Sequence, residues 1–438
     1  MPAHVVEPEV VASFTPSHGK ARKELVAAAV GGIVEGYDWT VYAVMAPYFA
    51  AQLFPGDDPV AQLLAAYIGF AVGFLARPLG SVLIGGLADR RGRMSALVVS
   101  MASIAVANLV IAATPTAAVF GLGAAITVVL ARLVMGVSFG GEIPTGAAYI
   151  TETAPAHRRF RYSSIASLGG VIGPLLAFIT LAVLLAAFGD RGLSDGGWRI
   201  AFVVAGLGGL VAVWIRRSVR ESREFEARRE ADRRAALRPA LLPLLRSHRR
   251  LMAAVFFGCA GGTIAFYLGT VYLPVHADAH SVIVRAEAER LMPLALLTML
   301  VAMLLGGWLA DRFGAFRVFR AGYALLAVGT VPLFLALAEG VLPFLAVAII
   351  YLAVFGLVLA QANVIFSQLF PTSIRTVGYG VPYTLSAAVF GGTTPLLAQG
   401  LLAAGRPGWL MWYAAGAAMV SLAATTLVRP GDVRVRKS

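Results

Sequence analysis

Charge is scarce in this chain. Only 13% of its 438 residues are Asp, Glu, Lys or Arg, about half the share found in soluble domains, and 59% are hydrophobic. That balance excludes a soluble globular fold. Cysteine is almost missing as well. Cys259 stands alone in an apolar stretch, so there is neither a disulfide framework nor a thiolate metal site. No H-E-x-x-H pair, no nucleophile–base arrangement and no Walker-type glycine loop occurs, which argues against an intramembrane enzyme and against a pump driven by ATP. No cofactor or metal is expected. His276 and His280, beside Asp278, read as solvent-exposed residues rather than ligands. The short segments of alternating polarity that mark a β-barrel are absent, and the first 23 residues lack the apolar core of a signal peptide.

What the chain has in quantity is apolar runs of helical length. They fall at approximately 25–51, 61–87, 95–113, 122–149, 163–188, 198–215, 251–275, 291–310, 318–337, 341–369, 378–402 and 408–427, with short polar breaks. Runs of about 20 apolar residues are the length a bilayer demands of a helix. The 47 glycines suit helices that pack closely. The formal charge of +13 points away from nucleic acid once its distribution is read. With the N-terminus inside, most Lys and Arg fall in alternate breaks, including twelve arginines between Arg216 and Arg250. This is the positive-inside pattern, and it predicts both termini in the cytoplasm of a multi-pass protein of the plasma (inner) membrane.

Two local patterns recur half a chain apart. "GGLADRRGRM" (85–94) follows the second run and "GGWLADRFGAFR" (306–317) the eighth; "ETAPAHRRF" (152–160) and "LFPTSIRTVGYG" (369–380) each place Arg four residues after Pro. The expected fold is therefore an all-α polytopic membrane protein, with twelve transmembrane helices in two homologous six-helix halves around a central cavity. The divisions are a tail over 1–24, a first half over 25–215, a charged cytoplasmic linker over 216–250, a second half over 251–427 and a tail over 428–438.

The first of those patterns, with Gly85, Asp89, Arg90, Gly92 and Arg93 in register, resembles the loop signature of the major facilitator superfamily. Met94 departs from it, standing where a basic residue is usual. "EGYDWTVYAVMAPYFAAQLFP", "ARPLGSVLIGG", "ARLVMGVSFGGEIPTGAAYITETAP", "WRIAFVVAGLGGLVAVWIRRSVRESREF" and "RTVGYGVPYTLSAAVFGGTTP" further resemble the metabolite:proton symporter family, a relative of the sugar porters. The resemblance implies a secondary active transporter that works by alternating access. Thr384 and Gly36 depart from the family, which often has Asn and a large aromatic there; both changes are expected to alter the pocket.

Five charged residues fall well inside the runs: Glu35, Asp38, Arg77, Arg132 and Glu142. Each costs at least ~2.5–3.5 kcal/mol at mid-membrane, so each is a functional candidate. Counting helical rise from the cytoplasmic side, Asp38 lies about 22 Å deep, Arg77 about 18 Å and Arg132 about 30 Å. Tilts and kinks bring these depths within reach of one another, permitting an Asp38–Arg132 or an Asp38–Arg77 pair. Glu35, Asp38 and Tyr42 share one helix face, expected to line the cavity. The "GYD" of 36–38 resembles the sugar-porter first helix, where the aspartate pairs with the arginine that Arg132 matches and links protonation to transport. Low dielectric favours a neutral carboxyl and a nearby guanidinium the charged one, so separating such a pair moves a proton. Asp38, Arg132 and Glu35 are the proton-coupling candidates, against the alternative of static ion pairs that fix helix register.

Arg77 suits an anionic substrate or an internal pair with Glu142 or Glu35. Glu142, Tyr42, Tyr67, Tyr149, Gln361, Asn363, Tyr383 and Thr384 complete the substrate-binding candidates, and Gln368 is a weaker one. Asp89, Arg90 and Arg93, with Glu152, Arg159, Asp311 and Arg375 as partners, are expected to form a cytoplasmic gate. In the resemblance the loop aspartate meets a helix N-terminus, whose dipole favours negative charge. The resulting reading is a monomeric proton symporter importing a small polar metabolite: an organic acid, an amino-acid-like zwitterion or a betaine. The partners are that substrate, the proton and the lipid bilayer. A uniporter, a proton-antiport exporter and a non-transporting sensor are the alternatives.

Overall fold

The computed structural model describes residues 18–80, 83–84, 87, 93–140, 147, 151, 154–217, 247–371, 374–429 and 432. Among the described residues there is no strand. Ten helical stretches are long and apolar enough to cross a membrane. One of them, Arg159–Arg217, bends at Gly189 and Gly196, whose φ of 64° and 138° only glycine adopts readily, and so makes two crossings. A 36-residue helix at the start brings the total to twelve.

In chain order the first half comprises α1 (His18–Leu53), α2 (Pro59–Gly80), α3 (Arg93–Ala113), α4 (Leu122–Phe139), α5 (Gly169–Gly192) and α6 (Trp198–Arg217). The second comprises α7 (Arg249–Ala279), α8 (Arg285–Phe313), α9 (Ala315–Ala338), α10 (Phe344–Ser367), α11 (Arg375–Ala403) and α12 (Trp409–Leu427). A short helix, Arg159–Ala166, leads into α5. Among the described residues, most arginines lie at helix ends on the side of the bundle where α1 starts, the basic face.

Local chemistry sets several boundaries. Asp58 caps α2 by accepting from Val60 N at 2.9 Å, with Pro59 in the first turn, where its missing N–H does no harm. Arg199 at the start of α6 donates to the last carbonyls of α3, Ala112 O at 2.7 Å and Thr114 O at 2.6 Å. Pro47 inside α1 has no N–H for the carbonyl of Ala43; the Tyr67 hydroxyl donates to that oxygen at 3.4 Å instead. Single turns of π-helix interrupt α7 at Leu268–Tyr272 and α11 at Ala387–Gly391.

Within the first half α1 lies on α5 and α6, α3 on α6, and α2 on α4; within the second α8 lies on α10, and α7 and α9 on α12. Small residues permit the closest approaches. A Cβ on Gly173 would strike the Ile33 carbonyl, and one on Gly136 the Gly73 carbonyl. The two halves meet where α5 and its leading helix pack on α8, and where α2 packs on α11.

Three expectations change here. A Cβ on Gly36 would lie 2.8 Å from Pro174, so Gly36 faces α5 and serves close packing rather than a wider pocket. His276 is buried, because α7 runs on past its π turn to Ala279; its ring lies among Tyr272, His280 and Phe334 instead of in solvent. The eighth helix begins at Arg285, six residues before the apolar run that announces it.

Candidate functional site

Four ionisable side chains converge between α1, α2 and α4. Asp38 and Arg132 are both fully buried, with Arg132 Nη1 donating to Asp38 Oδ2 at 2.9 Å. Glu35, one turn earlier on the same face of α1, pairs with Arg77 Nη2 at 3.0 Å. Of the two pairings open to Asp38, the one with Arg132 is present, and Arg77 takes the internal partner Glu35. Asn108 of α3 lies beside Asp38. Two positive and two negative groups balance, which offsets the large desolvation cost of each charge.

Aromatic rings fill the space between the pairs. Both guanidinium groups stack on Trp39, Arg77 at 4.4 Å and Arg132 at 4.2 Å from its ring centre. Arg77 also covers Phe74 at 4.3 Å and Arg132 covers Tyr42 at 4.5 Å. Stacking leaves the in-plane N–H groups free to donate. Among the described residues, Arg77 Nε, Arg132 Nε, Arg132 Nη2 and Asp38 Oδ1 have no hydrogen-bond partner. The cluster therefore holds unused donors and an unused acceptor at its centre. Trp39 went unnoticed in the sequence, although its place next to Asp38 in an apolar helix was the available signal.

The remaining candidates are dispersed. Tyr42 donates to Ala66 O at 3.0 Å and ties α1 to α2. Tyr67 lines a small pocket toward the face opposite the basic one, with Tyr267, Val271 and Tyr272 of α7 and Thr394 and Gln399 of α11. Gln361 is fully buried where α10 meets α8 at Gly306. Asn363 accepts from the Tyr379 hydroxyl at 2.7 Å and donates to Ser167 Oγ at 3.4 Å. Tyr383 packs against Tyr379. The Thr384 hydroxyl is spent on Gly380 O of its own helix at 2.8 Å. Glu142, Tyr149, Glu152, Asp89 and Arg90 lie outside the described residues, as does the side chain of Arg93.

At the basic face the halves are joined by polar contacts. Asp311 of α8 accepts from the backbone N–H of Phe160 at 3.0 Å and of Arg161 at 3.1 Å, capping the helix Arg159–Ala166 of the other half. Thr151 and Ser367 hydroxyls meet at 2.8 Å, also across the halves. Arg159 and Arg375 lie near each other at this face.

A bundle of twelve apolar helices in two halves, with ion pairs buried at its centre, defines a polytopic membrane transporter, not an enzyme. The family model of the Major Facilitator Superfamily matches residues 28–285, and the chain belongs to that superfamily. It is 31% identical to the alpha-ketoglutarate permease of Escherichia coli over 91% of each chain. It is also 32% identical to the ectoine/proline transporter ProP of Corynebacterium glutamicum, over 87% of this chain and 79% of that one, and 31% identical to the citrate-proton symporter of Klebsiella pneumoniae, over 88% and 87%. Among solved structures, the D-xylose-proton symporter superposes with a TM-score of 0.73 at 20% identity, covering 94% of this chain and 98% of that one. That likeness shows the fold.

Proposed function

We propose that the protein is a proton symporter that imports a small carboxylate-bearing metabolite by alternating access, with its basic face in the cytoplasm. The observation that carries this reading is the Asp38–Arg132 pair, fully buried and shared between α1 and α4. Contact with the guanidinium favours the charged carboxylate; when the helices part, taking up a proton spares the carboxyl an unpaired charge in low dielectric. A proton entering down 100 mV releases about 2.3 kcal/mol, enough to concentrate a neutral solute some tens of times.

Organic acids, amino-acid-like zwitterions and betaines share a carboxylate, which matches the unused N–H groups of Arg77 and Arg132. The relatives described above, an alpha-ketoglutarate permease, a citrate-proton symporter and an ectoine/proline transporter, are named for substrates in the same classes. In this reading Glu35 holds Arg77 until substrate displaces it. Asp311 closes the cytoplasmic side through the helix Arg159–Ala166, whose N-terminus favours negative charge.

The test uses proteoliposomes loaded against alpha-ketoglutarate, citrate, proline and ectoine in turn. An imposed inward proton gradient drives accumulation of at least one of them by the native protein. Asp38→Asn abolishes that accumulation and leaves substrate exchange measurable. Accumulation that survives in Asp38→Asn removes the coupling role.

A further inference from the structure

The face opposite the basic one carries a further ion pair that the central site does not use, its acid buried and its arginine half-buried. Arg285 Nε donates to Glu289 Oε1 at 2.7 Å, one turn apart at the start of α8. Glu289 is 1% exposed. Its other oxygen, Oε2, accepts from the Tyr48 hydroxyl of α1 at 3.4 Å, a contact between the two halves. Tyr67 of α2 lies against Arg285 from the same side, and Asp190 at the end of α5 is the next charge near Glu289. Pro293 leaves the Glu289 carbonyl without its helical N–H, so α8 is locally weakened at this point.

We infer that Arg285 and Glu289 form the gate of this face, closed when Tyr48 of the first half bonds to Glu289 and Tyr67 seats against Arg285. The chemistry suits a contact that must break in every cycle. Both charges sit on one helix, so opening leaves neither buried alone. What is lost is the hydrogen bond from Tyr48 to a charged acceptor and the seating of Tyr67; what returns is hydration of the pair. A gate with its charges on opposite halves would have to separate two ions instead. The inference rests on alternating access and makes no use of proton coupling.

Thiol labelling tests it without substrate or gradient. Val271 is buried and lines the pocket that Tyr67 shares with α7, so Val271→Cys in a Cys259→Ala background reports on opening. In lipid nanodiscs with a hydrophilic maleimide, Glu289→Gln labels about tenfold faster than the parent and Tyr48→Phe about threefold faster, the range expected for losing one charge-assisted hydrogen bond. The exchanged pair Arg285→Glu/Glu289→Arg returns the rate toward the parent value. Unchanged labelling in Tyr48→Phe, a variant that removes a single oxygen and folds, overturns the inference whatever Glu289→Gln does. So does a pair that lowers thermal stability without moving the labelling rate, since that is the mark of a helix-start ion pair alone.

Discussion

In the first half, the helices around the midplane carry Glu35, Asp38, Arg77 and Arg132, all buried and all ion-paired. In the second half, the buried polar side chains at comparable depth on α7, α10 and α11 include Thr270, Gln361, Thr384 and Ser386, and among the described residues none of those at this depth is charged. One architecture repeats, but the charge does not. A neutral hydroxyl can satisfy itself within its own helix, as Thr270 does on Phe266 O and Thr384 on Gly380 O. A buried carboxylate needs a cation, which for Glu35 and Asp38 comes from a second helix. At this depth the first half is thereby held by bonds that depend on protonation, and the second by hydroxyl bonds that do not.

Breaking the charged side of that comparison gives the largest effect. Arg132→Ala leaves Asp38 buried and alone, and is expected to lower stability by about 3–5 kcal/mol in thermal unfolding. Replacing both partners, Asp38→Leu with Arg132→Met, recovers most of that stability and no gradient-driven uptake; uptake by the double variant would reduce the pair to a packing device. Gly173→Ala comes next, with about 1–3 kcal/mol lost as α1 and α5 are forced apart. Asp311→Asn weakens the cap that joins the halves by about 1 kcal/mol, read as roughly fivefold faster maleimide labelling of Ser164→Cys. Thr384→Ala, on the neutral side, is expected to stay within about 0.5 kcal/mol and to leave the KM of transport within a factor of about two. A large KM change there would give the second half a binding hydroxyl and narrow the contrast.

Much of this could be read from the residues. Runs of membrane length, the alternation of arginine-rich breaks and the two recurring patterns specify twelve helices in two halves, because bilayer thickness and symmetry leave few other solutions. The depths of Asp38, Arg77 and Arg132 put the central acids and bases within reach but left the pairing open, since rise along a helix says nothing of its rotation. Three features were hidden for definite reasons. Glu289 lies upstream of the apolar run, and a hydropathy window cannot tell a solvated helix start from one buried by a partner. His276 was read as exposed because the π turn that carries α7 onward has no mark in composition. Gly36 was assigned to the pocket because a missing side chain shows that space is small or empty, not which; Gly173 on α5 decides it.

Pro47 separates the two working parts of α1. Asp38 lies before it and Tyr48 just after, so the ladder of backbone bonds that would make the helix a single rod is broken between them. On the proposed reading, the tip bearing Tyr48 would swing on that break while the stem keeps Asp38 on Arg132. The chain would then work as an airlock, in which one door yields before the charge inside is released, and a missing N–H in the first helix would let the two events fall in order.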